Sequence, residues 1–388
     1  MTVVRTNGWR VFNRDGRKRV IVTKELAGDL WLEVLVSCDC RVEVYTRTDL
    51  LDGAAIRGAI GTRCDGVIGQ LTETWDERLF QALHAAGGRV YSNYAVGYDN
   101  ADVSAATASS IAVGNTPGVL TETTAEMAVA LTFAAARRVV ESSRHLADGR
   151  FGGWLPGLFL GKLLHGKTLG LLGAGRIGVA YARMLVEGHK MDLAYYDLRP
   201  NDDLEGYVAD YSAFLEAHGE RPIRCRRVDT LEQLLCEADV VSLHVVLDDS
   251  TRHMIDASRL AQMKDDAILI NSSRGPLVDE EALVEHCRTH TEFSAALDVF
   301  EREPETAAGL HDLPNVVAVP HLGSATRWTR EGMATLAARN VAALVSGWPV
   351  WGGSEISMFL TDAAPQAAPS IVNARELGLP MFSEGGRL

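Results

Sequence analysis

Three chemically versatile side chains sit just past three apolar runs. The run "AILIN" leads through two serines to Arg274, "AALDVF" leads to Glu303, and "VVAVP" leads to His321. In an open α/β sheet, ligands bind beyond the carboxyl ends of the strands, so three such ends in succession mark one place. A guanidinium there takes a carboxylate in a forked, charge-assisted contact and polarises a neighbouring carbonyl. An imidazole, which ordinarily titrates near neutral pH, delivers a proton. A carboxylate on its other ring nitrogen fixes the tautomer and favours the imidazolium. Taken singly, Arg274 reads equally as a helix cap, His321 as a surface or core histidine, and Glu303 as one of three solvated acids with Glu301 and Glu305. Their order at successive strand ends sets them apart. Together they suit a hydride transfer in which a cofactor carries the hydride and the protein binds an acid, polarises its carbonyl and supplies one proton.

A cofactor site lies upstream. "LGLLGAGRIG" holds Gly173, Gly175 and Gly178 in a G-x-G-x-x-G, preceded by a strand pattern and followed by the helical "GVAYARMLVEG". The first glycine permits the tight turn, the second lets backbone amides approach a pyrophosphate, and the third lets helix and strand pack closely. The helix N-terminus favours the phosphates. A second strand, "DLAYYD", ends in Asp197, about twenty residues on, where a carboxylate bonds the adenine-side ribose. A free 2′-hydroxyl suits Asp197 and a 2′-phosphate is repelled, so the expected cofactor is NAD, with NADH preferred over NADPH. Arg199, two residues later, partly offsets that repulsion.

The elements that must position these groups alternate along the chain. "RVIVT", "RVEVYT", "GVIGQ", "RVYSN" and "IAVGN" are short β-branched runs separated by helical stretches such as "WDERLFQALHAAG". Such alternation means βαβ units and a parallel sheet. A single long helix is expected from about Glu122 to Leu146, capped by Thr121 or by Thr123, the latter in a capping box with Glu126. The glycine-rich "GRFGGWLPGLFLGKLLHG" then reads as a loop arm. A second alternating series begins at Lys167, with apolar runs suited to a fully covered parallel sheet. Within it, the polar stretch Arg199 to Arg227 shows no strong pattern and reads as a surface insertion. A helix, "TREGMATLAARNVAALVSG", follows Leu322, and the Pro- and Ala-rich tail from Thr361 is expected to wrap an adjacent surface. The fold class is therefore α/β with two doubly wound parallel-sheet domains. A Rossmann cofactor domain (residues 121–330) is inserted in a flavodoxin-like substrate domain (1–120), which the returning helix and tail (331–388) complete.

Composition bounds the rest. The 388 residues suit two domains, and 47% hydrophobic residues allow a sizeable core. The net charge of −13 argues against nucleic acid as a partner, and no run approaches a membrane span. Of the six cysteines only Cys38 and Cys40 are close, and they lack the second pair or histidine of a zinc site, so free thiols and no metal are expected. The first 24 residues are basic with one acid, Asp15. This fits an exposed first strand, "RKRVIVT", or the remnant of an organellar address. The closing Gly386-Arg387-Leu388 differs from the S-K-L peroxisomal address at two positions.

These motifs resemble the D-2-hydroxyacid dehydrogenases, and within them the hydroxypyruvate/glyoxylate reductases, the plant-type NADH-dependent branch above all. The resemblance rests on "CDGVIGQLTE", "NYAVGYDN", "VGNTPGVLTETTAEMA", "GAGRIG", "NSSRGPLVDEEALVEH", "LDVFEREP" and "VPHLGSATRWTREGMA", and spans nearly the whole chain, the "PSIVNARELGLP" tail included. It implies Arg274, Glu303 and His321 as catalytic residues, and Val96 and Gly97 as the loop whose amides hold the substrate carboxylate. It implies cofactor contacts at Thr124, the segment Gly173, Ala174, Gly175, Arg176, Ile177 and Gly178, and at Asp197, Val245, Ser273, Asp298 and Gly323. It implies Ser324 as a residue near the substrate and Trp154 as a substrate-binding tryptophan on an arm that in relatives reaches the partner subunit's active site, so a homodimer is expected. The implied reaction is NADH-dependent reduction of a small 2-keto acid, hydroxypyruvate ahead of glyoxylate, in photorespiration and in an organelle, peroxisome or mitochondrion. The alternatives are a D-3-phosphoglycerate dehydrogenase and an NAD-sensing corepressor of the same fold. The tail is short for the regulatory domain the first often carries, and tight NADH binding without turnover marks the second. A methyltransferase on a similar sheet does not account for the Arg-Glu-His set.

Overall fold

The computed structural model describes residues 4–6 and 8–382; the closing tripeptide, 386–388, lies outside them. The chain divides into two compact units, residues 1–120 with 325–388, and residues 121–324. The return to the first unit thus comes at residue 325 rather than after 330, because the helix Arg327–Ser346 is one continuous element of that unit.

The main sheet of the first unit has seven strands: β1 (Val4–Thr6), β2 (Trp9–Phe12), β3 (Lys18–Val22), β4 (Cys40–Tyr45), β5 (Gly66–Gly69), β6 (Val90–Asn93) and β7 (Ala112–Gly114). Their order is β1-β2-β4-β3-β5-β6-β7, and from β4 to β7 all are parallel. That parallel part is the flavodoxin-like order, 2-1-3-4-5. The antiparallel β1–β2 hairpin extends its edge. The helix Arg327–Ser346 packs on β5, β6 and β7 and is buried around most of its circumference, so it shows no polar stripe. The tail packs on this unit as expected. Ile371 pairs antiparallel with Gly114 on the free edge of β7, and Val372 N donates to Val113 O at 2.7 Å.

The second unit carries β8 (Thr168–Leu172), β9 (Asp192–Tyr196), β10 (Cys225–Arg227), β11 (Val240–Leu243), β12 (Ile268–Asn271), β13 (Ser294–Leu297) and β14 (Val316–Ala318). All are parallel, in the order β10-β9-β8-β11-β12-β13-β14, the Rossmann arrangement with one further strand. Strands β11 and β12 are buried throughout, which explains their unbroken apolar runs.

Three local expectations change. The long helix is two helices, Thr121–Ala136 and Val139–Ala147, broken at Arg138 with φ 51°. The cause is the returning arm. Lys162 N donates to Ala136 O at 2.8 Å and takes an acceptor that helical continuation needs. Gly161 passes so close that a Cβ there would lie 2.4 Å from the same oxygen. Thr123 is the third residue of the first helix, since the helix starts at Thr121, and so cannot be its N-cap. The stretch 199–227 is ordered: a helix, Asp202–Ala217, buries Leu204, Val208 and Leu215, and β10 pairs with β9. Its helical stripe is only three residues wide among acids and tyrosines, which hides the period.

Candidate active site

Strand β8 ends in the glycine turn. Gly173 adopts φ 92°, and a Cβ on it would lie 2.7 Å from His244 O. At Gly178 a Cβ would fall 2.1 Å from Gly173 O, so any side chain there drives helix and turn apart. Gly175 stands in open space at the N-cap of the helix Arg176–His189 and, having no side chain, cannot cap it. Nearby helices that begin at Asp202, Leu231 and Glu280 are capped by Asn201, Thr230 and Asp279. The first-turn amides of Arg176–His189 are thus left for an anion, and the close-packed glycines let one approach.

Asp197, just past β9, accepts from Ala174 N at 2.8 Å through Oδ2 and from Arg199 N at 3.2 Å through Oδ1. Asn201 Nδ2 donates to Ala174 O at 2.8 Å, so Ala174 is gripped through both its backbone groups. Arg227 forks onto the Asp197 carbonyl oxygen at 2.9 and 3.1 Å. The set fits a dinucleotide, with phosphates on the helix and a ribose hydroxyl on Asp197.

The ends of adjacent strands β12, β13 and β14 carry the other groups. Glu303 meets His321 Nδ1 through both oxygens, at 2.9 and 3.2 Å. A carboxylate can only accept, so Nδ1 carries the proton and Nε2 is left for a substrate. Partial burial alone would push the Glu303 carboxyl up. The His321 bond and charge, the Phe300 amide at 3.1 Å and the Arg274 charge outweigh it and hold the group below the usual range. Glu303 is therefore an anion at neutral pH and remains one into moderately acidic solution.

His321 has φ 53°, a left-handed conformation costly for a residue with a Cβ. Asp298, 1% exposed, compels it: His321 N donates to Asp298 O at 2.9 Å, and the amides of Leu322 and Gly323 donate to Oδ1 and Oδ2 at 2.5 and 2.7 Å. Burial raises the Asp298 carboxyl above its ordinary range, with the two amides and the His321 charge working against that rise. Thr124 and Gly323 sit together here; a Cβ on Gly323 would be 3.4 Å from the Thr124 methyl and 3.0 Å from Asp298. Ser324 follows, half-buried.

Arg274 is set by its neighbours. Asn271, 1% exposed, donates to Arg274 O at 2.8 Å and accepts from Ser273 N at 3.1 Å. Ser273 Oγ donates to Val245 O at 2.7 Å, which joins two of the expected cofactor residues. Arg274 Nη1 donates to Ser273 O at 2.8 Å. Behind it, a Cβ on Gly275 would lie 1.9 Å from Phe300 O, so this turn and the Glu303 loop touch backbone to backbone. Glu280, 5% exposed, clamps the same loop through the amides of Glu301 and Ala307, both at 2.8 Å.

In the first unit, the loop after β6 carries Val96 and Gly97, both half-buried. Their carbonyl oxygens are taken: Asn115 Nδ2 donates to Val96 O at 2.8 Å and Asn93 Nδ2 to Gly97 O at 2.9 Å. Trp154 is 82% exposed, on an arm in the second unit that also exposes Leu155, Leu160 and Leu163.

The structure thus joins Glu303 to His321, Arg274 to the Glu303 loop through Gly275, and Thr124 to Asp298 and Gly323. Sequence reasoning did not single out Asn201, Asn271, Glu280, Asn93 or Asn115. Each is a buried or part-buried polar residue that serves backbone rather than ligand, and the only signal is an amide or acid inside an apolar context.

The family model for "D-isomer specific 2-hydroxyacid dehydrogenase, NAD binding domain" matches residues 129–323. The chain is 53% identical over 375 residues to "Glycerate dehydrogenase HPR, peroxisomal" of Arabidopsis thaliana, covering 96% of this chain and 97% of the relative. It is 54% identical over 372 residues to glycerate dehydrogenase of Cucumis sativus, covering 95% and 97%. Among solved structures, the TT0316 protein of Thermus thermophilus superposes with a TM-score of 0.76 at 37% identity, over 91% of this chain and 99% of that one.

Gly178→Ala weakens NADH binding at least about tenfold in fluorescence titration, since the helix must move off the turn. Gly188→Ala, on the same helix with nothing within 4 Å of its Cβ, leaves affinity unchanged. Equal affinities in the two variants contradict the packing role of Gly178.

Proposed function

The chain belongs to the D-isomer specific 2-hydroxyacid dehydrogenase family, and from that premise we propose that it reduces hydroxypyruvate to D-glycerate with NADH, and glyoxylate to glycolate more slowly. The observation that carries the reading is the Glu303–His321 pair at the strand ends next to Arg274, within a chain more than half identical to two glycerate dehydrogenases. Glyoxylate lacks the hydroxymethyl group of hydroxypyruvate and so gains less from binding.

The Arg274 guanidinium pairs with the substrate carboxylate and polarises the neighbouring carbonyl. Within the first unit, the amides of Val96 and Gly97 are the donors proposed for a carboxylate. When bound, the reduced nicotinamide supplies a hydride to the carbonyl carbon. His321 Nε2 gives its proton to the carbonyl oxygen as the C–O double bond becomes single, and Glu303 stabilises the imidazolium before transfer. Solvent then reprotonates His321. Val245, Ser273, Asp298 and Thr124 would line the cofactor, and Ser324 the substrate.

Asp197 favours NADH, since its anion would stand against a 2′-phosphate. A second copy of the chain covers the exposed arm around Trp154, which presents more apolar surface than solvent accommodates well. The description of the Arabidopsis relative as peroxisomal supports an organellar setting.

The first test is steady-state NADH oxidation with both acids. Turnover is expected with hydroxypyruvate, at higher kcat/KM than with glyoxylate, and Arg274→Lys loses about 100-fold or more while NADH affinity stays within about twofold. Near-normal turnover in that variant removes Arg274 from the mechanism. Asp197→Ala narrows the NADH/NADPH ratio of kcat/KM at least about tenfold; an unchanged ratio rules out the ribose role. Sedimentation equilibrium is expected to give twice the 42.0 kDa chain mass, and a single-chain mass at micromolar concentration refutes the dimer.

A further inference from the structure

The carboxylate-binding loop has a second layer of support that comes from the far end of the chain. Asn115 holds Val96 O with its amide nitrogen, so its Oδ1 necessarily faces the other way. Ser370 meets it there: Ser370 Oγ donates to Asn115 Oδ1 at 2.6 Å. Asn115 is 7% exposed, so this hydroxyl is the donor that fixes which way the buried amide points. Ser370 is itself held. Its N–H donates to Asn340 Oδ1 at 2.9 Å, and Asn340 Nδ2 returns to Asn115 O at 3.0 Å. Asn340 is wholly buried in the helix Arg327–Ser346. Three residues beyond Ser370, Asn373 accepts from Val113 N at 2.8 Å and donates to Ile111 O at 3.0 Å, which locks the tail in register on β7.

We infer that Ser370 is a positioning residue for substrate binding: through Asn115 it sets the Val96–Gly97 peptide so that its N–H, that of Gly97, faces a carboxylate. This rests on the proposed reading of that loop. In a trans peptide the carbonyl of one residue and the amide of the next point opposite ways, so Asn115 on Val96 O turns the Gly97 N–H away from the core, and Asn93 on Gly97 O holds the peptide that follows. Asn93 is fixed within its own strand-end network, with Asn100 Oδ1 at 2.8 Å. The side-chain oxygen of Asn115 relies instead on residue 370, 255 positions away in the chain. A carboxylic acid substrate therefore feels the tail, whereas the dinucleotide groups belong to the other unit.

Ser370→Ala leaves a buried oxygen without this donor and frees the amide to rotate. Two readings are expected. The KM for hydroxypyruvate rises about tenfold while the KM for NADH is unchanged, and amide exchange across residues 94–98 becomes at least about fivefold faster. Ser370→Thr, which keeps the hydroxyl, restores both. A tail that only covers the β7 edge would lower thermal stability in Ser370→Ala and leave exchange in 94–98 and the two KM values as they were; that result overturns the inference. If Ser370→Ala fails to bind NADH, Ser370→Cys, a weaker donor in the same place, takes the same measurements. If the unaltered protein does not turn over hydroxypyruvate, the substrate assignment fails, and the exchange rates still decide whether Ser370 governs the loop.

Discussion

The hydrogen bonds from Leu322 and Gly323 to the Asp298 carboxylate determine what the rest of the candidate site's geometry can be. A histidine does not adopt a left-handed backbone without compulsion, and here three amides in succession converge on one buried residue. That turn points the His321 ring at Glu303. The cost of burying the Asp298 carboxyl is evident in its raised proton affinity, and the amide donors compensate part of it. Gly275 provides the matching constraint on the other flank. Because it presses on Phe300 without a side chain, the strand end bearing Arg274 and the loop bearing Glu303 cannot drift apart independently. The trio is thus arranged by backbone contacts made beneath it as well as by the Glu303–His321 bond.

The first unit follows the same logic with different atoms. In its loop after β6 the carbonyls of Val96 and Gly97 are both taken by asparagines, which suit the task because one side chain both donates and accepts. Asn93, Asn115 and Asn340 are buried amides at the strand ends and on the helix behind them. A set of this kind is exacting: every member has to be satisfied, and a missing partner costs more than the bond itself contributed.

The large features were legible in the sequence because each rested on a periodicity or on a fixed spacing. The glycine turn with Asp197 at the next strand end, the three reactive groups past "AILIN", "AALDVF" and "VVAVP", and the two alternating series all stand in the structure where those patterns put them. What escaped was set by distant contacts. The break at Arg138 depends on Lys162 reaching back to Ala136, which no local propensity encodes. The helix Asp202–Ala217 buries only one narrow stripe and so lacked a strong period. Glu280 stands among the acids at a helix start and carries no sequence signal of its own, because its two amide partners lie beyond β13 in the chain.

The two-part construction of the first unit also has a consequence for biosynthesis. Residues emerge from the ribosome in order, and domains tend to fold as units as they appear. The nucleotide-binding unit, residues 121–324, is a single uninterrupted stretch and is complete before the first unit has its central helix. Until Arg327–Ser346 and the segment around Ile371 are made, strands β5 to β7 lack the helix that packs on them and the edge of β7 stands uncovered, the condition under which strands pair with the wrong neighbour. The inserted domain therefore folds early as a spacer, and the chain's earliest residues must wait for its latest ones.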